Sequence, residues 1–361
     1  MFRKIIPIIM IFILSFHISP SNALANIEYN LNGETLEFED MPNDRSTEAL
    51  LNAINNGLLR GYNGKLLPND NLTRAEMATI INRSFRSSIK ADLGEFVDVS
   101  PKDWYYEEME KAVQMRTFKG DNNRLNPDAP ITREEAFVVI SRAFKMDTTD
   151  IEPSGHLDLD EVSDWAKKEI YGLIESDYII GSDRMINPKG YITRAEFAQI
   201  MDNMVKHYIR RPGIYDSVEK GNIMINIPGV ILRDTTVDGD LYIGEGVGDG
   251  DIILDNVVVN GRIVVRGGGE NTIIIAGDSS IPRVIVSRYD GPVKLKIRDN
   301  GYVDKLEVYG GKDRVVLEGN IDTLDIQDDI PIVVESGEIN NINSIISNPN
   351  ITVNDFIDRV K

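Results

Sequence analysis

One short phrase is written three times along this chain: Leu72-Thr73-Arg74-Ala75-Glu76, Ile131-Thr132-Arg133-Glu134-Glu135 and Ile192-Thr193-Arg194-Ala195-Glu196. In each copy a Gly stands twelve positions before the Thr (Gly61, Gly120, Gly181) and a Pro five before it (Pro68, Pro127, Pro188), so a loop recurs along with the pentapeptide. Such recurrence constrains architecture more than any single residue, because one repeat cannot bury its apolar face alone and must pack on the others.

The phrase spells a helix start. Thr followed three residues later by Glu is a capping box: the Thr hydroxyl accepts from the N3 amide and the Glu carboxylate accepts from the N-cap amide. The apolar residue ahead of each Thr can staple onto the fourth helical position, pairing Leu72 with Met77, Ile131 with Ala136 and Ile192 with Phe197. Neither device uses the Arg, and a cation at the first helical position opposes the positive end of the helix dipole. Arg74, Arg133 and Arg194 are therefore the candidate functional residues. A guanidinium beside free helix-start amides makes an anion receptor, with charge-assisted hydrogen bonds worth about 1.5–3 kcal/mol each.

Apolar residues at helical spacing follow each phrase, as in Met77, Ile80, Ile81 and Phe85, so each repeat is expected to run helix, Gly/Pro loop, capped helix. Three such units predict an all-α pseudo-threefold bundle. After Arg210-Arg211-Pro212-Gly213 the pattern changes to short β-branched runs about every ten residues. These are Ile252–Leu254, Arg262–Val265, Thr272–Ile275, Arg283–Val286, Val293–Ile297, Lys305–Val308, Arg314–Leu317, Thr323–Ile326 and Ile332–Val334. Even spacing and Gly/Asn/Asp turns favour a right-handed parallel β-solenoid, with two or three strands per coil, over a β-sandwich.

Each repeat also opens on an acidic segment, Phe38-Glu39-Asp40, Phe96-Val97-Asp98 and His156-Leu157-Asp158, and the second and third carry Trp104 and Trp165. With these features, residues of about 38 to 208 resemble three tandem S-layer homology repeats, the module that holds proteins on bacterial cell walls. The resemblance implies a secreted, non-enzymatic surface protein anchored non-covalently to a pyruvylated secondary cell wall polysaccharide. It implies that the pyruvate carboxylate pairs with Arg74, Arg133 and Arg194, a match suited to a bidentate guanidinium. Asp40, Asp98 and Asp158 are assigned to sugar hydroxyls or to anchoring the groove, and Gly61, Gly120 and Gly181 to close backbone approach. Trp104 and Trp165 are assigned to the groove wall or sugar stacking, with core packing at a helix start as the alternative. The copies differ: Ser46 falls where a Trp would, and His156 replaces the opening Phe. Glu134 stands beside Arg133, where it is expected to compete with an anionic ligand and leave Arg74 or Arg194 dominant.

The N-terminus reads as a signal peptide over residues 1–25, with Arg3 and Lys4 before an apolar stretch from Ile5 to Leu14 and a small-residue site at Ala23-Leu24-Ala25. An uncleaved membrane anchor is the alternative. The chain has no Cys, so neither disulfides nor a lipid anchor at the cleavage site enter. The expected domains are repeats at 26–90, 91–150 and 151–208, a linker at 209–229, the solenoid at 230–353 and a short capping helix at 354–361. A net charge of −19 argues against nucleic acid, yet screening over about 8 Å lets local Arg placement decide whether an anion binds. No His-Glu-x-x-His or Gly-x-Ser-x-Gly arrangement is present, and no cofactor or metal is expected. Two other classes stay open: a wall-anchored polysaccharide-degrading β-helix, and a self-assembling surface-layer element.

Overall fold

Among the described residues six α-helices occur in three pairs: α1 (Thr47–Asn55) and α2 (Arg74–Phe85), α3 (Tyr106–Gln114) and α4 (Arg133–Phe144), α5 (Lys167–Glu175) and α6 (Arg194–Met204). The computed structural model describes residues 28–31, 34–269, 273–289, 291–310 and 313–353, so the expected signal peptide and C-terminal capping helix lie outside them. A two-stranded antiparallel hairpin, Glu28–Leu31 with Glu34–Glu37, precedes the first pair.

All three capping boxes form: Thr73, Thr132 and Thr193 accept from the amides of Glu76, Glu135 and Glu196, whose side chains return to the Thr amides. The helices that they start meet at a pseudo-threefold axis. There the residues ahead of the caps close a cyclic triangle, Leu72 N–H to Ile192 O (3.0 Å), Ile131 N–H to Leu72 O (2.9 Å) and Ile192 N–H to Ile131 O (3.2 Å). The three side chains are fully buried, as are Phe85, Phe137, Phe144 and Phe197 further along the same helices. Phe85 and Phe144 touch with ring centroids 5.0 Å apart.

The second half is a parallel β-solenoid of two sheets. One sheet runs through His207–Ile209, Ile223–Ile225, Leu241–Ile243, Ile263–Val265, Ser280–Val286, Tyr302–Val308, Ile321–Ile326 and Ile339–Ser344. The other runs through Gly213–Tyr215, Val230–Arg233, Ile252–Asp255, Ile273–Ala276, Val293–Ile297, Val315–Glu318, Ile332–Ser336 and Ile351–Val353. The register advances 16 to 22 residues per coil. In the middle coils an added corner pairs Thr236 with Val258 and Val258 with Ser280. The nine expected strands are all present with ends shifted by a few residues. The stretch 209–229, expected as a linker, instead contains Gly213–Tyr215 and Ile223–Ile225, which pair in parallel with Val230–Leu232 and Leu241–Ile243.

A strand alternates faces, so the outward residue of each coil is normally wet. The second sheet obeys this, with Val230–Arg233 and Ile252–Asp255 alternating buried and half-buried. The first does not, because its outward ladder Tyr208, Met224, Tyr242, Val264, Ile285 joins the hydrophobic core of the helical bundle. The ladder turns polar at Glu307 and Asp325, the next two coils. The bundle therefore seats on five successive coils.

The seat is reinforced at the helix C-termini, whose last carbonyls lack intrahelical donors. Asn226 Nδ2 donates to Ser84 O of α2, and Asn222 Nδ2 to Met204 O of α6 (2.9 Å). For α4, Arg266 donates through Nε to Ala143 O (2.8 Å) and through Nη2 to Arg142 O (2.8 Å), and Arg262 donates to Phe144 O and Lys145 O. Cations at this end complement the helix dipole. The capped N-termini thus face away from the solenoid, about 18 Å from it along a 12-residue helix.

Candidate functional site

At the N-terminal end each repeat reaches into the next, and the last reaches the first. The amides of Arg74 and Ala75 donate to Ala129 O and Pro127 O, those of Arg133 and Glu134 to Gly190 O and Pro188 O, and those of Arg194 and Ala195 to Asp70 O and Pro68 O. The free helix-start amides expected from the sequence are consequently occupied: neighbouring Pro-containing loops supply acceptors.

The arginines follow the same cyclic order. Arg74 Nε donates to Leu125 O (2.8 Å) and Nη1 pairs with Glu135 (2.8 Å). Arg133 Nε donates to Ile186 O (2.6 Å) and Nη1 pairs with Glu196 (2.9 Å). Arg194 Nε donates to Leu66 O (2.8 Å), Nη2 to Arg60 O (3.0 Å), and Nη1 pairs with Glu76 (3.4 Å). Each capping Glu therefore has two duties, its own helix cap and the Arg of the preceding repeat. The expectation that the Arg lies outside the fold's needs does not hold, since all three side chains are 13–15% exposed and bridge repeats. Among the described residues, Nη2 of Arg74 and of Arg133 takes no hydrogen bond, whereas Nη2 of Arg194 is used.

Asp40, Asp98 and Asp158 hold the peptides that the arginines touch. Their carboxylates accept from the amides of Leu66 and Leu67 (2.7 and 2.8 Å), Leu125 and Asn126 (3.0 and 2.8 Å), and Ile186 and Asn187 (3.0 and 2.7 Å). Leu67, Asn126 and Asn187 have φ of +56°, +49° and +51°, a left-handed conformation that the paired acceptors offset. Of the two assigned roles, these contacts describe anchoring. Gly61 and Gly120 allow close approach of the repeat's own opening ring: an added Cβ would lie 2.2 Å from Phe38 and 2.7 Å from Phe96. At Gly181, where His156 replaces that ring, a Cβ would meet Met185 O at 2.5 Å. His156 Nε2 lies 3.3 Å from Ile180 O.

Trp104 and Trp165 are 63% and 54% exposed, so they are not core residues. Trp104 stacks edge-on against Tyr105, whose hydroxyl donates to Asp128 in the loop receiving Arg74. Trp165 follows Ser163, which bonds Glu134 and Lys189 at the loop receiving Arg133. Both Trp turns thus border an Arg-bearing junction, and the third junction, Arg194 with the first repeat, has Ser46 instead. Glu134 is directed away from the expected competition: it is 5% exposed and accepts from Ser163 N and Oγ (3.0 Å each) and Lys189 Nζ (2.7 Å). The partner set of Glu134 and the second duty of the capping glutamates left no mark in the repeat pattern, because both cross between repeats.

The protein-family model for the S-layer homology domain matches residues 37–78, 95–137 and 157–198. The chain carries three tandem S-layer homology domains. It is similar to the exoglucanase XynX of Acetivibrio thermocellus, 33% identical over 144 residues, covering 38% of this chain and 13% of that protein. It is also similar to the surface-layer 125 kDa protein of Lysinibacillus sphaericus (28% identical, 48% and 15% covered) and to the S-layer protein sap of Bacillus anthracis (26% identical, 47% and 21% covered). The chain spans about a fifth or less of the length of these curated relatives. S-layer homology domains place a secreted protein on the cell wall or cell surface, through wall polysaccharide. Among the described residues no helix is long and apolar enough to cross a membrane.

Proposed function

We propose that this anchoring is non-covalent and non-enzymatic, that its ligand is a pyruvylated secondary cell wall polysaccharide, and that the solenoid is displayed outward. The observation carrying this reading is the open Nη2 of Arg74 and Arg133 at the two junctions whose loops are tied to the Trp104 and Trp165 turns. In each guanidinium Nε and Nη1 are committed to the neighbouring repeat, so the group is fixed in place and presents a preorganised donor to a carboxylate. An exposed Trp at the same junction suits a pyranose ring. Asp98 and Asp158 position these junctions, as Asp40 does the third, without touching sugar. Gly120 and Gly181 shape the loops, as does Gly61.

The Arg74 junction leads on this account, because its Nη2 is open and Trp104 is the more exposed tryptophan. The Arg194 junction is weakest: its Nη2 is taken and it has no Trp. The full chain should sediment with walls carrying the polysaccharide and stay soluble with walls stripped of it. Equal sedimentation with both would overturn the ligand assignment.

A further inference from the structure

The opposite end of the bundle collects positive charge in a chain of net charge −19. A cleft of about 200 Å³ between bundle and solenoid is lined by Arg116, Lys119, Arg142, Lys145 and Arg266, with Asp328 as the acid among them. A second cleft of about 330 Å³ shares Arg142 and Lys145 as a common wall and adds Arg283, Asp147 and Glu169. Six cations therefore face three acids.

Two of the six are already occupied. Arg266 is spent on the carbonyls of α4, and Arg283 pairs with Asp147 (2.8 Å) and Glu307 (2.8 Å). Asp328 accepts from Gly310 N–H (2.6 Å). Among the described residues, Arg116, Lys119, Arg142 and Lys145 form no ion pair. They are nonetheless held: the Arg116 guanidinium lies 4.2 Å from the Tyr289 ring centroid, and the Lys145 ammonium 4.1 Å from that of Tyr309. Burial pushes the Lys145 ammonium below its ordinary value of 10.5, against the opposing pull of Tyr289.

Capping of the α4 carbonyls does not account for Arg142 and Lys145. The last carbonyls of α4, from Arg142 to Lys145, already receive donors from Arg262 and Arg266, so the side chains of Arg142 and Lys145 are left for another partner. A single carboxylate would leave most of the surplus charge uncompensated, whereas a dianion with three acceptor oxygens matches one Arg fork and two ammonium point charges.

We infer that this junction is a second binding site, separate from the Arg74 and Arg133 grooves, which takes a multivalent oxyanion of the phosphate class between Arg116, Lys119, Arg142 and Lys145. Such a ligand touches both modules and stabilises their seating by mass action. Its source is either free phosphate or two successive phosphodiesters of a wall polymer, which together carry the same two charges.

The test is calorimetry and thermal melting of the full chain at constant ionic strength, titrated with inorganic phosphate, with a glycerol phosphate oligomer and with acetate. Saturable heat and a raised melting temperature are expected with the phosphate probes and not with acetate. Arg142→Gln with Lys145→Gln should weaken that binding about tenfold or more while leaving binding of the pyruvylated saccharide unchanged. The more exposed pair Arg116→Gln and Lys119→Gln should weaken it in the same direction with the fold intact. Tighter binding of the oligomer assigns the site to a wall polymer, and equal affinity per phosphate assigns it to the free ion. No saturable heat, an equal response to acetate, or wild-type binding by both variants would overturn the inference.

Discussion

Replacing Arg194 by Ala removes one side chain that spans two repeats, and the structure sets the size of the effect. Nε to Leu66 O at 2.8 Å and Nη2 to Arg60 O at 3.0 Å are charge-assisted bonds to backbone carbonyls. Each is worth up to about 1.5–3 kcal/mol, reduced here because the released carbonyls at a surface junction can rehydrate. The Glu76 contact is long at 3.4 Å and its partner is 35% exposed, so it adds less than about 1 kcal/mol. The sum is a destabilisation of about 2 kcal/mol, or a drop of about 4–8 °C for a cooperative unit of this size. Thr193→Ala, which removes the N-cap alone, should cost about 1 kcal/mol. Arg194→Lys, keeping the charge but not the fork, should fall between wild type and Ala. Urea unfolding followed by circular dichroism orders the three. If Arg194→Ala unfolds with the wild-type midpoint while Thr193→Ala does not, the inter-repeat ring has no energetic role and the reasoning fails.

The remaining expectations use other parts of the molecule. Arg266→Met should destabilise by about 3–5 kcal/mol in urea unfolding, because Arg266 is 1% exposed and its loss strands the carbonyls at the end of α4; an unchanged midpoint would refute the capped seat. Glu134→Ala should lower stability by about 1–3 kcal/mol in the same assay rather than strengthen saccharide binding, since it unpairs Ser163 and Lys189. Burial raises the Asp325 carboxyl pKa, but the hydrogen bonds from Lys305 and Asn343 outweigh it and hold the value below 3.8. A depressed acid stabilises the fold above its unfolded pKa and loses that contribution as pH falls through the folded value. Asp325→Asn should therefore flatten the decline of the urea midpoint between about pH 5 and pH 3.

The parts legible in the sequence are those written locally. A capping box lies within four residues and a strand within five, so Thr73, Thr132, Thr193 and the nine β runs could be placed from the chain alone. The closure of the ring was not legible, because the partners of Arg74, Arg133 and Arg194 are the glutamates and carbonyls of the following repeat, or for Arg194 of the first repeat, more than fifty residues away in the chain. The stretch 209–229 looked like a linker because its strands are only three residues long and each follows a polar breaker, Arg210-Arg211-Pro212 or Lys220-Gly221. Their pairing partners, not their own composition, make them strands. One long-range signal was present and unused: Met224, Tyr242, Val264 and Ile285 are apolar at the outward position of successive coils, a face that needs a cover.

Calorimetry of the full chain with a pyruvylated wall disaccharide, beside the same sugar lacking its ketal pyruvate, tests the central claim most directly. Saturable binding of the first, abolished without the pyruvate and weakened most by Arg74→Gln, is the result predicted for guanidinium recognition of the carboxylate in an aromatic-edged groove. Equal heats for both sugars, or an Arg74→Gln chain that is correctly folded and binds as wild type does, would contradict it.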